Sequence, residues 1–126
     1  MHERAMQYFI AGLIGLISGI TSGLFGVGGG VVMVPTMLLL LHPPVRDIKQ
    51  AIGTSLAVII ATGIVGTVKH HQLRNVAWDV VLMLVPTAII GGFFGAWLTT
   101  YIPAENLKRA FGVFIIVVGC KLAFLK

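Results

Sequence analysis

Long stretches without a charged residue constrain this chain more than any other feature. Residues 5–45 contain no Asp, Glu, Lys or Arg, and neither do residues 50–68, 80–104 and 110–120. A bilayer core about 30 Å thick requires roughly 20 apolar residues in a helix. Helices also satisfy their backbone hydrogen bonds internally, as lipid demands. The pattern therefore predicts an all-α integral membrane protein with about four hydrophobic helices, forming one transmembrane domain over residues 1–126.

The charged residues argue against other classes of protein. The net charge is +5, but the nine Lys and Arg residues stand singly or in pairs between the apolar runs. That is where membrane proteins carry them, and no basic stripe suggests a nucleic-acid partner. The single Cys120 cannot form a disulfide within one chain. A cleaved signal peptide over residues 1–25 is disfavoured, because the apolar run continues past any cleavage point.

The first apolar run is too long for one straight helix. As a continuous helix, residues 8–41 would extend about 51 Å. Gly26, Gly28, Gly29 and Gly30 interrupt this run. The sequence predicts a helix broken or re-entrant at residues 26–30, which we call the breach, with helical pieces at 8–25 and 31–41. The other predicted helices cover 51–68, 78–101 and 107–125.

Several interpretations of the breach can be compared. A dinucleotide-binding fingerprint would need a small residue at Val31 and a preceding strand, and a phosphate-binding Walker loop would need Gly-Lys-Ser/Thr. A simple kink needs one glycine or proline. Unwound backbone inside a membrane survives where it lines a cavity or is buried in protein. Its N–H groups, at the start of a helix, favour an anion, so the breach predicts a binding site without cofactor or metal.

Short hydroxyl side chains near the breach extend this prediction. Each could donate to an anion or simply bond to a carbonyl one turn earlier. His70 and His71 could relay protons, although an ordinary polar link at the headgroups is the favoured interpretation. No carboxylate lies deep in an apolar run, which argues against a carboxylate-based proton pump. The predicted substrate-binding residues are Gly26, Gly28, Gly29, Gly30, Val31, Thr54, Ser55, Thr21 and Ser22.

Motifs in a fixed order resemble the sulfite exporter TauE/SafE family of membrane transporters. They are SGLFGVGGGVVMVP at 22–35, AIGTSLAVI at 51–59, HHQLRNVAWDVV at 70–81, PTAIIGGFFGAWL at 86–98 and LKRAFGVFIIVVG at 107–119. The resemblance implies secondary or facilitative transport of small sulfur-containing anions such as sulfite, sulfonates or sulfoacetate across the cytoplasmic membrane. Family members usually contain two such repeats. A single repeat therefore implies a homodimer in which two chains replace two repeats.

The distribution of positive charge bears on how two copies would pair. If the first segment crosses once, Lys and Arg residues divide five against four between the two sides of the membrane. If it enters and returns as a hairpin, the division is again five against four. The positive-inside bias that orients membrane proteins is nearly absent either way. We therefore expect insertion in both orientations and an antiparallel dimer that mimics an inverted repeat.

Two other functions remain to be compared with transport. A membrane scaffold or assembly subunit would use the small-residue faces Gly15/Gly19/Gly23 and Gly91/Gly95 to pack against partner helices. A membrane enzyme would need acid–base groups or metal ligands within the apolar segments, and the sequence offers none there.

Overall fold

The computed structural model describes residues 1–41 and 44–125, and within these residues the chain is helical with no strands. Five helices follow one another along the chain. Three of them, α1, α3 and α4, are long and apolar enough to cross a membrane, and α2 is a shorter apolar helix. The helices are α1 (His2–Phe25), α2 (Gly30–Leu40), α3 (Ile48–Gln72), α4 (Trp78–Leu98) and α5 (Ala104–Phe124).

These boundaries confirm the helices and the break predicted from the sequence. The first long run is two helices, separated at residues 26–29. Three glycines there, Gly26, Gly28 and Gly29, have φ between 68 and 75°. This left-handed backbone is inexpensive for glycine and costly for other residues, which explains why the break falls where the glycines lie.

The polar link after α3 is shorter than the sequence indicated. Residues 69–72 continue the helix, so that His70 and His71 belong to its last turn. Backbone hydrogen bonding continues through polar residues as readily as through apolar ones, so the change in composition did not mark the helix end. The predicted polar link is thereby reduced to residues 73–77.

The chain forms two compact units, residues 1–74 and residues 75–126. In the first unit, α2 packs against both α1 and α3. One depression between α1 and α2 is lined by Ile10 and Leu40, and also by Ile17 and Val32. Gly29, the residue before α2, lies beside Ser18 of α1, and Leu41, the residue after α2, lies near Tyr8. The two helices therefore form an antiparallel hairpin.

The end of α2 confirms this hairpin. Leu41 and Pro44 line the same depression as Arg4 and Tyr8, near the start of α1. The chain therefore returns to the end from which it set out, as the re-entrant alternative predicts. At the opposite end, Nε2 of His70 lies 2.8 Å from the carbonyl oxygen of Gly23. The chain therefore enters α3 from the end of the unit that contains the start of α1. The last turn of α3 lies beside the last turn of α1.

The core of the first unit consists of stripes at helical spacing. Ile14, Ser18 and Ser22 are the buried residues of α1, each one turn from the next. In α3 the buried residues are Ile48, Ala51 and Ser55, and between these stripes α2 buries Met33, Val34 and Met37. The buried stripes of α1 and α3 both become polar towards the breach.

The second unit contains α4 and α5, and the described part of neither helix has a buried residue. Trp78 begins α4, and Tyr101 follows its end with its ring edge-on to that of Trp97, at 5.2 Å between centroids. Amphipathic rings at the two ends of an apolar helix are typical of residues at membrane interfaces.

Candidate functional site

The breach begins where α1 ends. Gly26 adopts φ 68° and ψ 13°, and its N–H donates to the carbonyl oxygen of Ser22 at 2.8 Å. This left-handed cap is a common way to end a helix. It turns the chain back towards α1, so that the following glycines lie beside that helix.

Within the breach, Gly29 precedes α2 and Gly30 is the first residue of that helix. The carbonyl oxygen of Gly29 accepts hydrogen bonds from the N–H groups of Val32 at 3.1 Å and Met33 at 2.8 Å. Four successive N–H groups, those of residues 28–31, make no hydrogen bond to any residue that the structure describes. Open N–H groups at the start of a helix carry partial positive charge and favour an anion.

Close contacts fix the breach between α1 and α3. A Cβ atom added to Gly29 would lie 2.7 Å from the carbonyl oxygen of Ser18, a distance that real Cβ atoms do not tolerate. On the other side, Ile59 packs against Gly28 and Gly30, where an added Cβ would lie 3.3 and 3.4 Å from its Cδ1. Gly29 therefore has two reasons to lack a side chain: its positive φ and its approach to α1.

The depth of the breach follows from its contact with Ile59. Ile59 is the twelfth of the 25 residues of α3, which places it about 17 Å from the start of a helix about 37 Å long. The breach thus lies alongside the middle of a helix long enough to cross a membrane.

Three serines are the buried polar residues in the described part of the chain: Ser18 at 0% exposure, Ser55 at 3% and Ser22 at 9%. The hydroxyl of Ser55 donates to the carbonyl oxygen of Ile52 at 2.8 Å, and its Oγ would lie 3.7 Å from a Cβ on Gly30. Ser55 therefore lies at the breach, although its proton is directed to its own helix.

The other two predicted hydroxyls lie in different surroundings. Thr21 is half-buried and donates to the carbonyl oxygen of Ser18 at 2.9 Å, the local back-bond that was the alternative interpretation for these residues. Thr54 lies on the exposed side of α3, away from the buried stripe that contains Ser55. The structure thus brings Ser55, Gly28, Gly29 and Gly30 together. Ser22 is buried in α1 and its carbonyl oxygen accepts from Gly26, while Gly26 and Val27 lie at the exposed edge of the breach.

Sequence reasoning missed Ser18. Its side chain is fully buried against Gly29, and its Oγ has no hydrogen-bond partner within residues 1–41 and 44–125. Buried hydroxyls nearly always have a partner, so this one is exceptional. The signal was present in the sequence, because Ser18 lies four residues before Ser22 in a run whose only other polar side chain is that of Thr21.

His70 is the second residue whose position was not predicted. A carbonyl oxygen can only accept, so in the 2.8 Å contact Nε2 donates to Gly23. The carbonyl of Gly23 is among the last of α1, which have no partner within the helix. His70 therefore connects the end of α3 to the end of α1 by a hydrogen bond. The sequence had indicated only a polar segment at the level of the headgroups.

Metal-binding side chains do not gather near the breach. Within the described residues, no three His, Cys, Asp or Glu side chains are grouped closely enough to hold a metal ion.

Comparison with known proteins places this arrangement in a family. A family model described as "Sulfite exporter TauE/SafE" matches residues 11–126. The chain belongs to the TauE/SafE family. The match includes the breach, the three buried serines and all of α2, α3, α4 and α5 up to their described ends.

Curated relatives of this TauE/SafE chain are named as probable membrane transporter proteins. One from Haemophilus influenzae is 34% identical over 116 residues, which are 87% of this chain and 43% of the relative. YunE of Bacillus subtilis is 37% identical over 112 residues, 88% of this chain and 40% of the relative. A third, from Methanocaldococcus jannaschii, is 30% identical over 107 residues. No solved structure matches the chain.

The chain spans about two fifths of the length of these relatives, 43% and 40% for the first two. Membership of a transporter family, together with several candidate spans, identifies it as a multi-pass membrane protein. Membership of the TauE/SafE family and the multi-pass membrane character, both predicted from the sequence, are confirmed.

Proposed function

We propose that this TauE/SafE chain carries small sulfur-containing oxyanions, such as sulfite or a sulfonate, across the cytoplasmic membrane. The observation that carries the proposal is the run of four open N–H groups at residues 28–31, beside the middle of a candidate membrane span. In lipid, such donors would be costly without a partner. An oxyanion provides several acceptor oxygens together.

The transport step would use this site near the middle of the bilayer. Broken helices at a mid-membrane site recur in secondary transporters, where alternating access moves protein around a fixed site. No nucleotide-binding motif is present in the sequence, so transport would be facilitative or coupled to an ion gradient. Two copies of the chain would enclose the path between them as a homodimer.

A substitution at Gly30 tests the role of the breach. Its φ is not positive, and an added Cβ would contact Ile59 and Ser55 at 3.4 and 3.7 Å, within ordinary packing distances. Gly30→Ala should therefore fold. Its methyl group would stand between the open N–H groups and Ser55. We expect uptake of radiolabelled sulfite or methanesulfonate into proteoliposomes to fall at least about tenfold, a loss of roughly 1.4 kcal/mol.

Gly63→Ala is the matched control. Gly63 lies in α3 and has no atom within 4 Å of an added Cβ, so the variant adds the same methyl group to a helix without approaching the breach. It should transport as the wild type does. Equal transport by both variants would remove the breach from the mechanism. Gly29→Leu is a poorer test, because its clash with the backbone of Ser18 would disturb the fold itself.

One observation favours a second candidate, a membrane scaffold without transport. Gly15, Gly19 and Gly23 border an open groove between α1 and α3, and no atom lies within 4 Å of a Cβ added to any of them. Small-residue faces of this kind accept neighbouring helices in membranes. Absence of flux for every sulfur oxyanion, in proteoliposomes that contain folded protein, would favour the scaffold.

A further inference from the structure

The charge of the surroundings limits which anions the breach can hold. Within residues 1–74, the charged residues of α3 nearest to Ile59 are Lys49 and Lys69, each ten residues away along the helix. That spacing corresponds to about 15 Å in each direction. On α1, Arg4 lies fourteen residues before Ser18, and α2 contains no charged residue. In this unit the breach therefore offers neutral donors and no cation.

Neutral donors can compensate one negative charge much better than two. The N-terminus of a helix carries the equivalent of about half a positive charge. The cost of transferring an ion from water into a poorly polar medium grows with the square of its charge, so it is roughly four times larger for a doubly charged ion. A site deep in the membrane without Lys or Arg thus favours the singly charged form.

Ser18 adds an independent sign of a ligand at this place. Its hydroxyl is completely buried and has no partner among the described residues, and its Cβ would lie 3.3 Å from a Cβ added to Gly29. A buried hydroxyl without a partner destabilises a fold, whereas alanine would fill nearly the same space without that cost. An oxygen of a bound anion would supply the missing acceptor when the first turn of α2 moves away from α1.

We infer that the breach selects singly charged oxyanions over doubly charged ones, and that the Ser18 hydroxyl is one of the donors that bind them. The inference rests on the proposed function for the location of the site. It adds the charge of the ligand and a residue that binds it. For an acid with two ionisations, such as sulfurous acid, the carried species would be the hydrogen form.

Methanesulfonate and sulfate provide a matched pair of probes, since both are small and tetrahedral at sulfur. The first is singly charged and the second doubly charged at neutral pH. With the purified full chain in detergent, each anion is titrated against the thermal unfolding temperature, which rises with ligand binding. We expect methanesulfonate to act at a concentration at least about tenfold lower than sulfate. Equal potency, or a preference for sulfate, would overturn the inference.

Sulfite gives a second readout in proteoliposomes. As pH rises through its second ionisation, sulfite becomes doubly charged, whereas methanesulfonate does not change. The flux of sulfite at constant total concentration should fall with its singly charged fraction, and the flux of methanesulfonate should stay level. A sulfite flux that rises with the doubly charged form contradicts the inference, even though it would support transport.

Ser18→Ala separates ligand binding from a structural role. We expect the unfolding temperature without ligand to rise by a few degrees, and the affinity for methanesulfonate to fall about tenfold. Thr62→Ala, which removes a hydroxyl already bonded within its own helix to Val58 and Ile59, should leave the affinity unchanged. A Ser18→Ala protein with wild-type affinity would remove Ser18 from the site.

The two levels of the proposal fail in different ways. Selective binding of methanesulfonate without flux would overturn transport and leave the charge selection standing. Equal flux of methanesulfonate and sulfate would support transport and overturn the charge selection. If no oxyanion raises the unfolding temperature or crosses the membrane, both are wrong.

Discussion

At the scale of single residues, the breach distinguishes glycines that look alike in the sequence. Gly26 and Gly29 both have positive φ, at 68 and 75°. Only Gly29 also meets a backbone atom, with the carbonyl oxygen of Ser18 at 2.7 Å from an added Cβ, whereas Gly26 has open space. Gly26 is therefore required only for its backbone conformation. Gly29 is required both for its backbone conformation and because a side chain would clash with α1.

This difference predicts unequal costs of substitution. Gly26→Ala should lower the free energy of unfolding by about 1 kcal/mol, the cost of a left-handed residue. Gly29→Ala should lower it by about 2 kcal/mol or more, because the contact with Ser18 adds strain. Thermal unfolding in detergent micelles, followed by circular dichroism, measures both. Equal losses would mean that α1 does not hold Gly29 as closely as the structure shows.

At the scale of helices, the sequence predicted local structure well and helix pairing poorly. The breach and the start of α4 at Trp78 follow from glycine content and from the change between polar and apolar residues, which are local signals. The antiparallel pairing of α1 with α2 does not. Both alternatives divided the positive charges five against four, so the one orientation signal in the sequence could not separate them.

The same limit explains what was found and missed at the site. Open N–H groups were predicted because glycines and a helix start are adjacent in the chain. Ser18 and His70 matter through partners 11 and 47 residues away, Gly29 and Gly23. Thr54 and Ser55 are adjacent in sequence, yet only Ser55 is buried. Because a helix turns by about 100° per residue, adjacent residues lie on different faces. The sequence motif alone does not show which of these faces is buried.

The bond between His70 and Gly23 is a prediction about two helices. His70→Ala should lower the unfolding free energy by about 1 kcal/mol, the usual contribution of one hydrogen bond. It should also accelerate amide hydrogen exchange at residues 22–26, because the last turn of α1 would fray. His70→Gln retains an N–H donor and should recover part of both effects. If exchange there is unaltered in the alanine variant, the end of α1 is held by other contacts.

At the scale of the whole molecule, the hairpin decides which charges share a side of the membrane. Because Leu41 and Pro44 lie near Arg4, Arg46 and Lys49 belong to the same end of the first unit as Arg4. Lys69 and Arg74 follow at the other end of α3. The sequence prediction that α4 and α5 each cross once divides all nine charges five against four and makes the number of full crossings odd. By length and composition α4 is a candidate span and α5 is not.

Insertion in both orientations is the consequence that can be measured. In a Cys120→Ser background, Leu125→Cys would report the carboxyl-terminal end to a maleimide that cannot cross membranes. With so small a charge bias, we expect intact cells to show roughly half of the labelling seen after permeabilisation. Combining Asn75→Lys and Ala77→Lys with Lys108→Gln and Arg109→Gln would place six positive charges against three, on the side of Leu125. That side should then become cytoplasmic and external labelling should fall. Labelling of the parent from one side only would rule out the antiparallel dimer, because two opposite copies cannot assemble from chains that all insert in the same orientation.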